Sequence, residues 1–92
     1  MDVYAQIAEK IIAEQETIIG PVAIEKAQQV SGLQVDWKNK LVKITGEPKS
    51  IVDKLVEQYK ELFGQISVEV CKEALNKLPE HLLPEQIPAS LR

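Results

Sequence analysis

The sequence predicts a small α+β domain, rich in helix, with the element order α-α-β-β-α-α, one two-stranded antiparallel hairpin and an extended, proline-containing C-terminal tail. Three observations predict this class. An amphipathic helical stripe lies between Pro48 and Gly64, apolar residues alternate with polar ones before Gly46, and three apolar-Pro steps follow residue 77. We therefore expect one globular domain over residues 1–78 and a tail over residues 79–92.

Composition and charge narrow the class of protein further. Of the 92 residues, 45% are apolar and 27% are charged, and the net charge of -3 gives no general attraction to nucleic acid or anionic lipid. No apolar run approaches the roughly 20 residues that are needed to cross a bilayer. We also recognise no signal peptide, in which a basic segment is followed by an apolar one, at the N-terminus. The single Cys71 rules out an internal disulfide. We expect a cytoplasmic protein that does not bind membranes.

The first predicted helix has an unusually broad apolar face. Asp2 can cap it, and the helix should run to about Ile19. Apolar residues recur at intervals of seven in two adjacent rows, which would bury one side and leave part of the stripe for a partner helix. A core helix is one interpretation. The other is homodimerisation through a self-association face made of Tyr4, Ile11, Ile12 and Ile18.

A short helix and a hairpin should follow. Gly20 and Pro21 interrupt the first helix, and residues 21–30 fit a second one whose inward residues are Val22, Ala23, Ala27 and Val30. From residue 33 the apolar period changes to two, which indicates two paired strands. A two-residue loop at residues 39–40 sets Trp37 opposite Val42, Val35 opposite Ile44 and Asp36 opposite Lys43, whereas a loop at residues 38–39 keeps the same faces.

Two more helices complete the predicted domain. The third begins at Pro48, spans about sixteen residues before Gly64 and directs inward Ile51, Val52, Leu55, Tyr59, Leu62 and Phe63. Residues 66–78 fit either an alternating strand or a helix, and their length favours a helix capped by Ser67, with Ile66 packed on Cys71.

The tail is too apolar for a purely solvated linker, because it carries Leu82, Leu83, Ile87 and Leu91. Proline repeatedly prevents regular structure there. The segment is interpreted as a strap across its own domain, with disorder or a ligand-like peptide as alternatives.

Residues for catalysis or metal binding are few. The one His81 lies in the tail and Cys71 lies on an apolar helix face, so neither a Cys-His dyad nor a four-ligand zinc site is expected. The carboxylates fall on predicted polar helix faces, where solvation is their ordinary role. We predict no catalytic, cofactor-binding or metal-binding residue, and hence no enzyme.

One stretch resembles a nucleic-acid-binding family. IIGPVAIEKAQQVSGLQVDWKNKLVKITGEPKSIVDKLVEQYKELF resembles the helix-loop-helix, two-strand and closing-helix portion of a KH domain. The family's GxxG loop falls on residues 20–23, where Ala23 replaces the second glycine. The resemblance implies a single-stranded nucleic-acid surface. Its residues would be Gly20, Lys26, Lys38, Lys40 and Lys43. Residues 19–23 also resemble an Ile-Gly-Pro-Ile-Ala step in accessory helical segments of bacterial signalling proteins.

Taken together, these patterns predict a non-enzymatic protein-binding or regulatory module, with another protein or a second copy of the chain as its partner. A KH-like domain that binds nucleic acid is the alternative. A small enzyme or small-molecule binder without a recognisable motif is the second alternative.

The first prediction separates protein binding from nucleic-acid binding. We expect no affinity for unstructured single-stranded RNA at physiological salt, because the loop at residues 20–23 lacks the basic residues that contact phosphates. Fluorescence anisotropy with labelled RNA checks this expectation. Submicromolar affinity that Lys26→Ala or Lys40→Ala reduces would overturn the protein-binding interpretation.

Overall fold

The structure, a computed structural model, describes residues 3–78 and 84–91. Within those residues the chain forms four α-helices and one antiparallel hairpin, in the order α-α-β-β-α-α, so the predicted α+β class is confirmed. The elements are α1 (Val3–Ile19), α2 (Val22–Gln28), β1 (Leu33–Asp36), β2 (Leu41–Ile44), α3 (Pro48–Phe63) and α4 (Gln65–Asn76).

Helix α1 is the central element of the core. It packs against α2, α3, α4 and strand β2, and Ile7, Ile11 and Ile12 are fully buried. Its broad apolar stripe is therefore used inside the domain, where several elements approach it from different directions. The predicted end at Ile19 is confirmed. The predicted cap at residue 2 lies outside the described residues.

Helix α3 has the predicted bounds but a shifted apolar face. The Glu47 carboxylate accepts hydrogen bonds from the backbone N–H groups of Lys49 (3.0 Å) and Ser50 (3.4 Å), which satisfies two donors of the first turn. Val56 is fully buried, although the prediction omitted it. The predicted core positions Leu62 and Phe63 are 39% and 51% exposed, because the last turn lies at the end of the helix bundle.

Helix α4 begins earlier than predicted. It starts at Gln65, directly after Gly64, whose φ of 71° and ψ of -151° reverse the chain between two helices. Ser67 is buried inside the helix and does not cap it, and Ile66, the predicted packing partner of Cys71, is 72% exposed. The helix itself is confirmed, whereas its predicted cap is wrong.

The short helix and the hairpin also differ in detail. In α2, Ala23 and Ala27 are buried as predicted, but Val22 is 38% exposed, since a helix of seven residues presents only a narrow inward face. The strands pair Val35 with Val42 and Asp36 with Leu41, which is the register of the alternative loop at residues 38–39.

The pairing predicted from a loop at residues 39–40 is therefore wrong. The connection spans four residues: Trp37–Asn39 form a 3₁₀ turn, and Lys40 follows in the left-handed region with φ 54°. This wider loop moves the pairing by two residues, and Lys43 lies opposite Gln34 instead of Asp36. A shift of two preserves the faces, because side chains alternate along a strand.

The described part of the tail packs on its own domain. Residues 84–91 form the 3₁₀ turns Pro84–Gln86 and Ala89–Leu91, the second of which contacts α3 and α4. Leu91 is buried, and the Ser90 N–H and Oγ–H donate to Asp53 Oδ1 at 3.1 and 2.6 Å. The predicted extended conformation is thus replaced by short turns over these residues. The interpretation of Leu82 and Leu83 as strap residues lies outside the described residues.

The second prediction concerns this attachment. Leu91→Ala should lower the free energy of unfolding by about 2 kcal/mol, because it leaves a cavity beside α3 and α4. Ser90→Ala should lower it by about 1 kcal/mol through loss of the hydroxyl donor to Asp53. Urea denaturation measures both values, with exposed Ser31→Ala as the matched control. An unchanged urea midpoint for Leu91→Ala would show that the tail does not stabilise the domain.

Candidate functional site

Large apolar side chains are exposed together at one end of the helix bundle. Ile18 in the last turn of α1, Phe63 at the end of α3 and Ile66 at the start of α4 are 60%, 51% and 72% exposed. Between them lies a groove of about 220 Å³. We call it the three-helix groove, and its lining residues are Gln15, Ile18, Ile19, Phe63, Ile66, Ser67 and Val70.

The two apolar sides of α4 explain why this groove exists. Val68, Cys71 and Ala74 face the core and are buried. Ile66 and Val70, four residues apart, share a different stripe of the helix and line the groove. The sequence of α4 therefore carries more apolar surface than the domain core can cover.

Gln15, one of the residues that line the groove, is buried and hydrogen-bonded. Gln15 is buried at 1% exposure, and its Nε2 donates to the Ser67 carbonyl oxygen at 3.0 Å and to Cys71 Sγ at 3.5 Å. These bonds tie α1 to α4 across the core. A buried amide that is hydrogen-bonded in this way fixes the relative position of the two helices, because breaking the bonds would leave polar groups without partners.

An ion pair also links α1 to the residue that follows α4. Lys77 Nζ lies 3.1 Å from Glu14 Oε2. The pair is partly exposed and contributes little to stability.

Two buried titratable groups, Cys71 and Tyr59, are not activated for chemistry. Burial raises the pKa of the Cys71 thiol to about 11, and the hydrogen bond from Gln15 opposes that shift only in part. Burial, together with the neighbouring Cys71, also raises the pKa of Tyr59, whose O–H donates to the Ala23 carbonyl oxygen at 2.7 Å. Both groups are neutral near pH 7, so neither is a ready nucleophile or base.

The predicted self-association residues do not form one exposed face. Ile11 and Ile12 are fully buried in the core, and Tyr4 is half-buried against it. Ile18 alone of the four is exposed, and it lies in the three-helix groove. Because α1 is covered on several sides, Tyr4, Ile11 and Ile12 are not available as an exposed self-association face. Whether the chain self-associates stays a prediction.

The residues predicted from the KH resemblance are spread over several elements. Gly20 follows α1 with φ 73°, Lys26 is on α2, Lys38 and Lys40 are in the hairpin loop, and Lys43 is on the outer face of β2. Nucleic-acid binding through them stays a prediction.

The hairpin loop itself is organised around Trp37. Lys40 Nζ lies 3.9 Å from the centroid of the Trp37 ring, and the ring N–H donates to Glu16 Oε1 at 3.0 Å. Lysine therefore covers one face of the ring on which a base would stack. This arrangement docks the hairpin onto α1 instead of presenting an open aromatic platform.

A shallow second depression lies on the outer face of the hairpin. It has a volume of about 250 Å³ and is lined by Gln34, Val35, Asp36, Leu41 and Lys43. Leu41, at 59% exposure, is the one large apolar side chain that it exposes. An isolated exposed leucine is ordinary on a protein surface, so this face serves as a control for the groove.

Over residues 3–78 and 84–91, no three His, Cys, Asp or Glu side chains group as they would to hold a metal ion. In the same part of the chain, no helix has the length and apolar character needed to span a bilayer.

Comparison of the chain with protein-family models, with curated proteins and with solved structures finds no match in any of the three.

Sequence reasoning missed most of the groove. The sequence pattern directs Phe63 into the core, packs Ile66 on Cys71 and gives Gln15 no role, although all three line the groove. The signal that could have found it is the strand-like alternation of residues 66, 68 and 70, which on a helix places apolar residues on two sides.

The third prediction concerns Cys71. At about pH 8 the Cys71 thiol of the native protein should react with a thiol reagent far more slowly than the same thiol in the urea-unfolded chain, because the thiolate is the reactive form. Between pH 9.0 and about 11 the unfolded thiol ionises while the folded thiol stays protonated, so stability should fall as pH rises through that window. Urea midpoints measured across it should fall less steeply in Cys71→Ala, which lacks this thiol but keeps the buried Tyr59. Equal reactivity of native and unfolded protein would contradict the burial of this thiol.

Proposed function

We propose that this chain is a non-enzymatic protein-binding module whose binding surface is the three-helix groove. The observation that carries the proposal is the clustering of Ile18, Phe63 and Ile66 around one concave site, each of them at least half exposed. Contiguous exposed apolar surface on a small domain is a recognised mark of an interaction site, whereas scattered apolar residues are not.

The size of the groove favours a side chain over a small-molecule ligand. A volume of about 220 Å³ falls below the roughly 300 to 1,000 Å³ of ordinary ligand pockets. It has room for one or two aliphatic side chains presented by another helix. The groove is open at the end of the bundle, where a helix from a partner can lie against α1 and α4.

The gain from burying the apolar surface and the cost of association are of similar size. The exposed side chains around the groove offer on the order of 400 Å² of apolar surface, within the range of functional patches on small proteins. At about 25 cal/mol per Å² its burial contributes about 10 kcal/mol, against roughly 4 to 15 kcal/mol lost on association. Binding therefore also needs polar contacts around the groove.

A cytoplasmic location forms part of the proposal. Cys71 is a free, buried thiol that acts as a small apolar side chain. Such a residue suits a reducing compartment, where a thiol of this kind remains unmodified.

The fourth prediction tests the groove with peptides. Helical peptides are selected from a displayed library against the protein immobilised at low density. These peptides should bind the wild-type chain, and their affinity for the Ile66→Lys variant should be at least about tenfold lower. The charge would lie in the apolar wall, where a bound side chain would desolvate it. Leu41→Lys, an equally drastic change at an exposed apolar residue of the hairpin, should leave binding unchanged.

Two other results would decide against the proposal. Selected peptides that tolerate Ile66→Lys but fail with Leu41→Lys would place binding on the hairpin face. A selection that yields no peptide sensitive to either substitution would leave the groove without a binding role. Thermal unfolding followed by circular dichroism confirms that each variant is folded, which is expected because both side chains are mainly solvated.

A further inference from the structure

The inference developed here rests on the proposed function, because it names the occupant of the three-helix groove. We propose that the groove binds a second copy of this chain about a two-fold axis, with each copy placing Ile66 in the groove of the other. Three properties of the described residues support this occupant: the shape of the patch, its area and the charges around it.

The shape is self-complementary. Ile66 at 72% exposure is the most exposed large apolar side chain among the described residues, and it stands at the edge of the groove that it helps to line. In a two-fold interface, whatever one copy contacts in the other is contacted in return. A patch that carries both a projecting side chain and an adjacent groove can form such mutual contacts, because each copy supplies both halves of the contact.

The area agrees with a dimer of this size. Roughly 800 Å² per partner is typical of a specific interface, and about 60% of that surface is apolar. The apolar share of such an interface is roughly 480 Å² per partner, and the exposed side chains around the groove offer a comparable area, on the order of 400 Å². A much larger partner surface would extend over the polar faces of α3 and α4, which have no further large exposed apolar residue among the described residues beyond Leu62, Phe63 and Ile66.

The charges on two of the helices that line the groove also suit a second copy. Lys60 and Glu61 occupy the last turn of α3, and Glu69 and Lys72 form an ion pair on α4, with 3.7 Å between Oε1 and Nζ. Glu73 is exposed one turn further on. Helices that carry both signs let a two-fold mate pair lysine with glutamate. Helices of one sign would instead repel a second copy and favour an oppositely charged peptide.

The net charge of the chain opposes this pairing only weakly. Each copy carries a formal charge of -3. At physiological ionic strength the screening length is about 8 Å, so charges distant from the interface contribute little. The dimer should consequently form at moderate salt, because apolar burial is the main attraction and is insensitive to screening.

The fifth prediction is a concentration-dependent dimer. Sedimentation equilibrium of the full chain, over about 10 to 500 µM where interfaces of this strength dissociate, should show dimer in exchange with monomer. Ile66→Lys should raise the dissociation constant at least about tenfold, whereas Leu41→Lys should leave it unchanged. In a mixture of isotope-labelled and unlabelled protein, filtered nuclear Overhauser spectra should show contacts between the Ile66 methyl groups of one copy and the Phe63 ring of the other.

The outcomes separate this inference from the proposed function. A chain that stays monomeric over the whole range, yet binds selected peptides through Ile66, would overturn the second-copy occupant and leave the protein-binding role intact. A monomer that also yields no groove-dependent peptide would overturn both. A dimer that survives Ile66→Lys and dissociates in Leu41→Lys would place the contact on the hairpin, and the groove would then not be its site.

Discussion

The one-residue connection between α3 and α4 determines how this small domain is built. Gly64 adopts φ 71°, a conformation that a residue with a side chain rarely takes, and α4 starts at the next residue. Two helices joined so closely leave the side chains next to the reversal outside the core. The apolar residues on either side of the reversal, Leu62, Phe63 and Ile66, are consequently exposed at the end of the bundle.

The apolar burial that is missing at the α3–α4 reversal is provided around α1, which lies at the centre of the bundle. Its apolar residues contact elements on several sides, and Gln15 supplies hydrogen bonds to Ser67 and Cys71 where an apolar residue would only fill space. Such a buried polar contact selects one arrangement of α1 against α4, since a shifted register would separate the amide from its partners. The same bonds fix Gln15 and Ser67, two of the residues that line the groove.

Much of the fold could be predicted from the sequence, because its signals are local. Pro48 and Gly64 bound α3, and the alternation around Val35 and Val42 marks the hairpin. The loop was less predictable: Lys40 takes a left-handed conformation without being glycine, held by its backbone bond to Trp37 and by the contact of its ammonium group with the ring. The groove could not be derived from periodicity, because Phe63 and Ile66 have core-like spacing and only the tertiary arrangement decides which apolar residues the core has room for.

The docking of the hairpin has a practical consequence for measuring stability. Trp37 is the only tryptophan in the chain, and its ring N–H is bonded to Glu16 on α1. Its fluorescence therefore reports how closely the hairpin is attached to the central helix, whereas the far-ultraviolet circular dichroism arises mainly from the four helices. The two signals observe separate parts of one domain, and any difference between their unfolding curves would measure how independently the hairpin can leave the helical bundle.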